Sequence, residues 1–341
     1  MSSNWSPQET PSQILTEKTF FQGCIVMGVG YGCVVALTGM CLHSLWRCRT
    51  TRGMTSTRSL FFLAYVSIIF VLGSISFATN TAFEQLAFVD YRNFPGGPVA
   101  FQRNMHYIPI NVASDISFVL ANMCAESLLI WRCMVIFKDS RAVFRVAVTF
   151  FSSLLFAGSL GMGILWLIET SSSSEILFKT KKRVSYIVPF FFIASLVLNT
   201  IVSSLIAGRL IFLRRRLTSV AGQALGSHYT NSAALVVESA SLYTVFSLLF
   251  LIPFAAGSPI ANAFLQIMGE VQIIAPLLII YRVLEGKAWS EKTAFSPRRI
   301  SDESSLHLRR LPTARVTAED LIETHSVPEV QVTIDVSKGA I

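Results

Sequence analysis

The sequence predicts an all-α, polytopic integral membrane protein built as a seven-transmembrane helix bundle. Three observations lead there. Of 341 residues, 52% are hydrophobic and only 14% charged, against about 25% charged in soluble domains. The charges collect in short clusters and towards the end of the chain, leaving long apolar runs between them. Each run reaches about 20 residues, enough to cross a hydrocarbon core about 30 Å thick. In lipid each segment must satisfy its own backbone, so these runs are helices. Barrel strands would be about 10 residues long and would alternate.

Seven spans follow in order, at about residues 20–46, 59–82, 110–137, 143–168, 186–213, 231–256 and 259–282. They divide the chain into an N-terminal segment (1–19), a membrane domain (20–285) and a polar, disordered tail (286–341) rich in Ser, Thr and mixed charge. The polar residues 1–19 lack a basic stretch and a short apolar core, so no cleavable signal peptide is expected and the first span acts as its own insertion signal. Between spans two and three, Asn93, Pro95, Gly96, Gly97 and Pro98 mark turns. Spans six and seven are separated by only a few residues around Gly257 and form a tight hairpin.

Orientation is read from Lys and Arg near the spans. The side holding the first, third and fifth connections and the start of the tail carries 16 of them, and the other side carries 7. This bias places the N-terminus outside and the C-terminus in the cytoplasm, with the plasma membrane as the expected location. The cluster Lys179, Lys181, Lys182 and Arg183 opposes it. Asn4-Trp5-Ser6, a glycosylation sequon, agrees with it. The net charge of +8 belongs to the flanks of helices, so no nucleic acid is expected.

Six cysteines fall within or just after the helices and none in an outer connection, so a disulfide framework is not expected. Cys48, between Arg47 and Arg49, is placed in the first cytoplasmic loop, as a plain thiol or a palmitoylation site. No histidine lies at mid-bilayer and no two have ligand spacing, so neither a metal site nor an intramembrane hydrolase is expected. The seventh span has no lysine for a retinal Schiff base. No enzyme activity and no cofactor are predicted.

Ionisable residues at membrane depth are costly and usually face the bundle interior. On span three, Asp115, Asn122 and Glu126 fall within about 40° of one another. Span five carries Ser195, Asn199 and Ser203, and span seven carries Asn262, Gln266 and Glu270, both at four-residue spacing. If spans three, five and seven line one cavity, then Asp115, Asn122, Glu126, Asn199, Gln266 and Glu270 bind a ligand there. Such residues also serve as packing glue between helices. Arg132 and Glu238 lie at matching depth and are expected to form an ion pair joining spans three and six. Pro189, Pro253 and Pro276 kink the last three spans. Gly28 with Gly32, and Ser159 with Gly163, are read as packing pairs. Thr218 and Ser301 follow basic residues and suit phosphorylation.

Certain segments form a recognisable set. They are Leu129-Ile130-Trp131-Arg132-Cys133, Gly208-Arg209-Leu210, Val237-Glu238-Ser239-Ala240-Ser241-Leu242-Tyr243-Thr244, and the run from Ala275-Pro276 through Tyr281-Arg282 to Ala288-Trp289. With these the membrane region resembles a family of seven-helix membrane proteins from mushroom-forming (basidiomycete) fungi. That resemblance implies architecture and little else. The layout is more loosely similar to G-protein-coupled receptors. It departs from them where Cys133 follows Arg132 and where Ala275 precedes Pro276. The receptor analogy implies sensing of an external small ligand and signalling to a cytosolic partner at Arg214, Arg215, Arg216 and the tail. The alternatives are a transporter or channel-like protein using Asp115, Glu126 and Glu270, and a scaffold with no ligand. The sequence leaves oligomeric state open.

Overall fold

A computed structural model describes residues 9–52, 56–138, 140–171, 181–221 and 223–294. Among the described residues eight α-helices follow one another: α1 (Pro11–Arg52), α2 (Ser56–Gln85), α3 (Gly97–Asn104), α4 (Pro109–Ile136), α5 (Ala142–Ser171), α6 (Lys181–Ala221), α7 (Gln223–Ala255) and α8 (Ile260–Ala294). Seven of them are long and apolar enough to span a membrane, and the short α3 is not. All seven predicted spans are present, and the described residues contain no strand. The all-α seven-helix bundle is therefore the fold.

The helices overrun the predicted spans. α1 begins nine residues before the expected start and continues to Arg52, so Cys48 lies on a helix and not in a loop. Its side chain is buried, which corrects its placement as an accessible loop thiol. All six cysteines are free of disulfides. α6 and α7 run well past their membrane windows, which end at Leu213 and begin at Val236. α8 continues through the expected domain boundary at residue 286 to Ala294. Asn4 and Ser301 lie outside the described residues, and Thr218 falls on α6 at a position whose side chain is not described.

The connection between α2 and α4 is ordered. α2 passes into a π-helical turn, Leu86–Asp90. Gly96 (φ 92°) and Gly97 (φ 81°) then take the left-handed conformation that glycine adopts without steric cost. Pro98 follows in the first turn of α3, where its missing N–H is no loss. Phe83, Ala87 and Phe101 bury together beneath this cap. The α7–α8 hairpin closes with Gly257 at φ 65°. Ser258 N–H donates to Pro253 O at 2.9 Å and Gly257 N–H to Phe254 O at 3.0 Å, which ends α7 with a Schellman motif.

Packing divides the interior. One cluster joins α1, α2, α4 and α8 through Val34, Val66, Ile69, Leu128, Leu277 and Ile280. A second joins α4 to α8 through aromatic side chains, with Phe191, Phe192, Tyr243 and Phe250 fully enclosed. A third gathers Phe137, Leu198, Val202, Ile206 and Leu210 near the Arg-rich end of the bundle. The outward faces are apolar as well. Ile68, Val71 and Ile75 of α2 and Phe144, Phe150 and Leu154 of α5 are exposed, as expected of surfaces solvated by lipid.

Small residues permit tight helix contacts, at positions other than the GxxxG pair. Nothing lies within 4 Å of a Cβ built at Gly28 or Gly32. A Cβ at Gly23 would meet Gln266 Cγ at 2.9 Å and Ala263 Cα at 3.0 Å, and one at Gly30 would meet Glu270 Cβ at 3.0 Å. α1 and α8 therefore touch through Gly23 and Gly30. The other predicted pair does pack: Ser159 is fully buried, and a Cβ at Gly163 would lie 3.1 Å from Val119.

Candidate functional site: a carboxyl shared by the bundle

α4 carries Asn122 and Glu126 one turn apart on its inward face, the spacing at which helix side chains meet. Asn122 Nδ2 donates to Glu126 Oε1 at 3.0 Å. Ser159 of α5 donates to the same oxygen at 2.9 Å, and Ser195 of α6 at 2.6 Å. Ser195 Oγ lies farther from Asn122 Oδ1, at 3.3 Å, so its single proton goes to Glu126. Tyr243 of α7 donates its hydroxyl to Ser195 Oγ at 2.9 Å. Gln272 Nε2 of α8 lies 3.5 Å from the Tyr243 oxygen. Donors from α4, α5 and α6 thus converge on one carboxyl oxygen, and α7 and α8 join through Ser195. Glu126, Ser159, Ser195, Tyr243 and Gln272 are all buried.

A cavity of about 50 Å³ opens beside this network, lined by Asn122, Glu126, Arg132, Asn199, Ser239 and Gln272 among others. One water needs roughly 10–15 Å³ of such space, so the cavity has room for a few waters. Its walls run from Glu126 towards the Arg-rich end, where Arg132 lies six residues, or about 9 Å, further along α4. The opposite side is filled. Phe118 and Trp166 (5.5 Å between centroids), Phe191 and Phe192 (5.4 Å), and Phe192 and Phe250 (4.9 Å) form a continuous aromatic plug.

The six predicted ligand residues do not share one cavity. Asn122, Glu126 and Asn199 line it together. Asp115 lies beyond the aromatic plug, half-buried, where its Oδ2 accepts a hydrogen bond from Asn111 Nδ2 at 3.4 Å. The α8 stripe faces the other way, towards α1 and α2. Gln266 accepts a hydrogen bond from Asn80 of α2 at 2.8 Å and donates to Glu84 Oε1 at 2.8 Å. Glu270 sits against Gly30 of α1, and its buried Oε2 has no hydrogen-bond partner among the described residues. The α8 residue that does reach the network is Gln272, two positions on from Glu270 and so about 200° around the helix.

Arg132 and Glu238 do not form the expected ion pair. Arg132 lines the cavity near Tyr65, but Glu238 is exposed on α7. Ser239 is the residue of this turn that is buried, and its neighbour Glu238 is left on the exposed face of α7.

Two parts of this interior escaped the sequence reading. Tyr243 carries no sequence signal beyond its place in the segment Val237–Thr244. Glu84 was missed because span two was ended at residue 82, whereas α2 continues to Gln85. Glu84 is buried, and its two oxygens accept from Gln266 and, at 2.7 Å, from Gln102 of α3. The available signal was the four-residue spacing of Asn80 and Glu84. Among the described residues no group of His, Cys, Asp and Glu side chains is arranged to hold a metal ion.

Fold and surface together define a multi-pass membrane protein whose helices contact the lipid bilayer. Compared with known proteins, the chain matches no family model, no curated protein and no solved structure.

Proposed function

We propose that the chain is a receptor-type seven-helix protein in which the Glu126 network is the conformational switch. The observation that carries this reading is one carboxyl linked to five helices, beside a water-sized cavity leading to the Arg-rich end. Three of those helices, α6, α7 and α8, contain an internal proline at Pro189, Pro253 and Pro276. Each proline removes a backbone hydrogen bond and permits a bend. Exchanging donors around Glu126 would let those helices shift relative to α4. The excess of Lys and Arg supports placing the N-terminus outside the plasma membrane and the Arg-rich end in the cytoplasm. There the helical extensions of α6 and α7 would meet a cytosolic partner. The aromatic plug and Asp115 would then face the side from which an external ligand arrives.

Spin labels at the exposed positions Met134 (α4) and Val237 (α7) test this in reconstituted protein. The switch reading expects two distances, with Glu126→Gln shifting their populations. One distance, unchanged by that substitution, together with acid-driven proton uptake lost in Glu126→Gln vesicles, would instead favour a transporter.

A further inference from the structure

A second cavity, of about 250 Å³, lies between the C-terminal parts of α1 and α8, lined by Met40, His43, Ser44, Arg47, Tyr281 and Glu285 among others. Its level is set by the ends of two membrane spans, at Thr50 and Glu285. Trp46 of α1 is 75% exposed at the same height, the position where Trp favours the lipid interface. We propose that this cavity holds the headgroup of one phosphatidylethanolamine molecule from the bilayer leaflet at the Arg-rich end.

The charge pattern selects that headgroup. Arg47 and His43 stand on successive turns of α1 and offer N–H donors to a phosphate. Across the cavity, Tyr281 and Glu285 of α8 stand one turn apart. Among the described residues Arg47 and Glu285 form no ion pair with each other, although both line the cavity. With one fixed positive and one negative side chain, the lining matches a zwitterion better than a net anion. A primary ammonium can donate to both the Glu285 carboxylate and the Tyr281 hydroxyl, which a trimethylammonium cannot do. Met40 and Leu284 supply an apolar wall along which the glycerol end leads to the acyl region.

The test reconstitutes the full chain in vesicles of equimolar phosphatidylcholine and phosphatidylethanolamine. The protein is then re-extracted in mild detergent and its retained lipid measured by mass spectrometry. Wild type is expected to retain phosphatidylethanolamine in excess over phosphatidylcholine. Glu285→Gln should lower that excess about fivefold, the size of one partly exposed charged contact, whereas Arg47→Gln, which removes a contact to the phosphate that both lipids carry, should lower the amount of both retained by a similar factor, and Arg47→Lys keeps most of it. With phosphatidylglycerol offered instead, Glu285→Gln should raise retention. Retention of both lipids by wild type in the ratio offered overturns the proposal, whatever the variants do. So does an excess that survives Glu285→Gln, or a total retention that Arg47→Gln leaves unchanged. Equally strong binding of soluble glycerophosphoethanolamine would overturn the assignment to a bilayer lipid. None of these outcomes depends on the Glu126 network.

Discussion

Glu126 and Glu270 are both buried, at 4% and 3% exposure, and each follows an amide by four residues on one helix face. The bundle nevertheless treats them in opposite ways. Asn122 donates to Glu126, and two serines from neighbouring helices join it on the same oxygen. Gln266 leaves Glu270 alone because a second carboxyl competes for it: Glu84 of α2 takes its N–H, and Asn80 supplies its oxygen with a donor. Local spacing thus brings amide and carboxyl to one face, and the facing helix decides whether they bond. A carboxyl opposite serines becomes a junction. A carboxyl opposite the glycine of α1 is left without a donor.

The largest expected effect follows from removing the junction. Glu126→Ala leaves three buried donors without their acceptor, and each unsatisfied group costs about 1–3 kcal/mol. With partial relaxation, a loss of about 3 kcal/mol is expected, measured by equilibrium unfolding in mixed micelles. Glu126→Gln keeps one acceptor oxygen and should lose only about 1 kcal/mol. Equal losses for the two would mean that Glu126 holds the helices by its volume and not by its hydrogen bonds, removing the contrast with Glu270.

The next effect tests why Glu270 lies where it does. α1 approaches α8 through Gly23 and Gly30, and at Gly23 the obstructing atoms include the backbone Cα of Ala263, which cannot swing aside. Gly23→Ala should therefore cost about 2 kcal/mol, in the range for overpacking. Gly28→Ala, which meets nothing within 4 Å, should change stability by less than about 0.5 kcal/mol. The same unfolding assay separates them, and a reversed order would mean that α1 packs on its other face.

These glycines also mark how far the sequence could be read. Span number, order and approximate limits were legible, because lipid demands long apolar helices and every violation is visible in composition. The inward placement of Asn122, Glu126, Ser195 and Asn199 was legible from the four-residue spacing of polar groups. Which helix each stripe faces was not. That depends on rotation about the helix axis, and in a bilayer the outer face is as apolar as the packed one, so periodicity carries little information. Gly28 and Gly32 fit a packing motif yet face outward for this reason. Matching depth failed for Arg132 and Glu238 in the same way, since depth fixes position along α7 but not around it. Glu84 was hidden by ending α2 at the last clearly apolar residue.

A smaller effect asks whether the network is one unit. Ser195→Ala removes a donor to Glu126 and the acceptor for Tyr243, and Tyr243→Phe removes the hydroxyl that Ser195 receives. Each should cost about 1 kcal/mol, with a coupling energy near 1 kcal/mol in a double-mutant cycle. Coupling near zero would reduce the network to separate pairwise bonds and weaken the switch reading.

The smallest change is expected at Glu270, and its sign matters more than its size. A buried polar group without a hydrogen bond is a cost to the folded state, and an apolar side chain of similar length removes that cost. Glu270→Met should therefore leave stability unchanged or raise it by about 1 kcal/mol in the same unfolding assay, the reverse of Glu126→Ala. A loss of about 2 kcal/mol or more would show that Glu270 is bonded in the membrane to a group that arrives there, such as water or a cation, and the two carboxyls would then differ in partner and not in kind. A gain in stability with unchanged distances between labels at Met134 and Val237 would confine the switch to the α4–α8 side. A gain accompanied by a shift in those distances would instead mean that the cost of burying Glu270 helps set the balance between the two arrangements of the bundle.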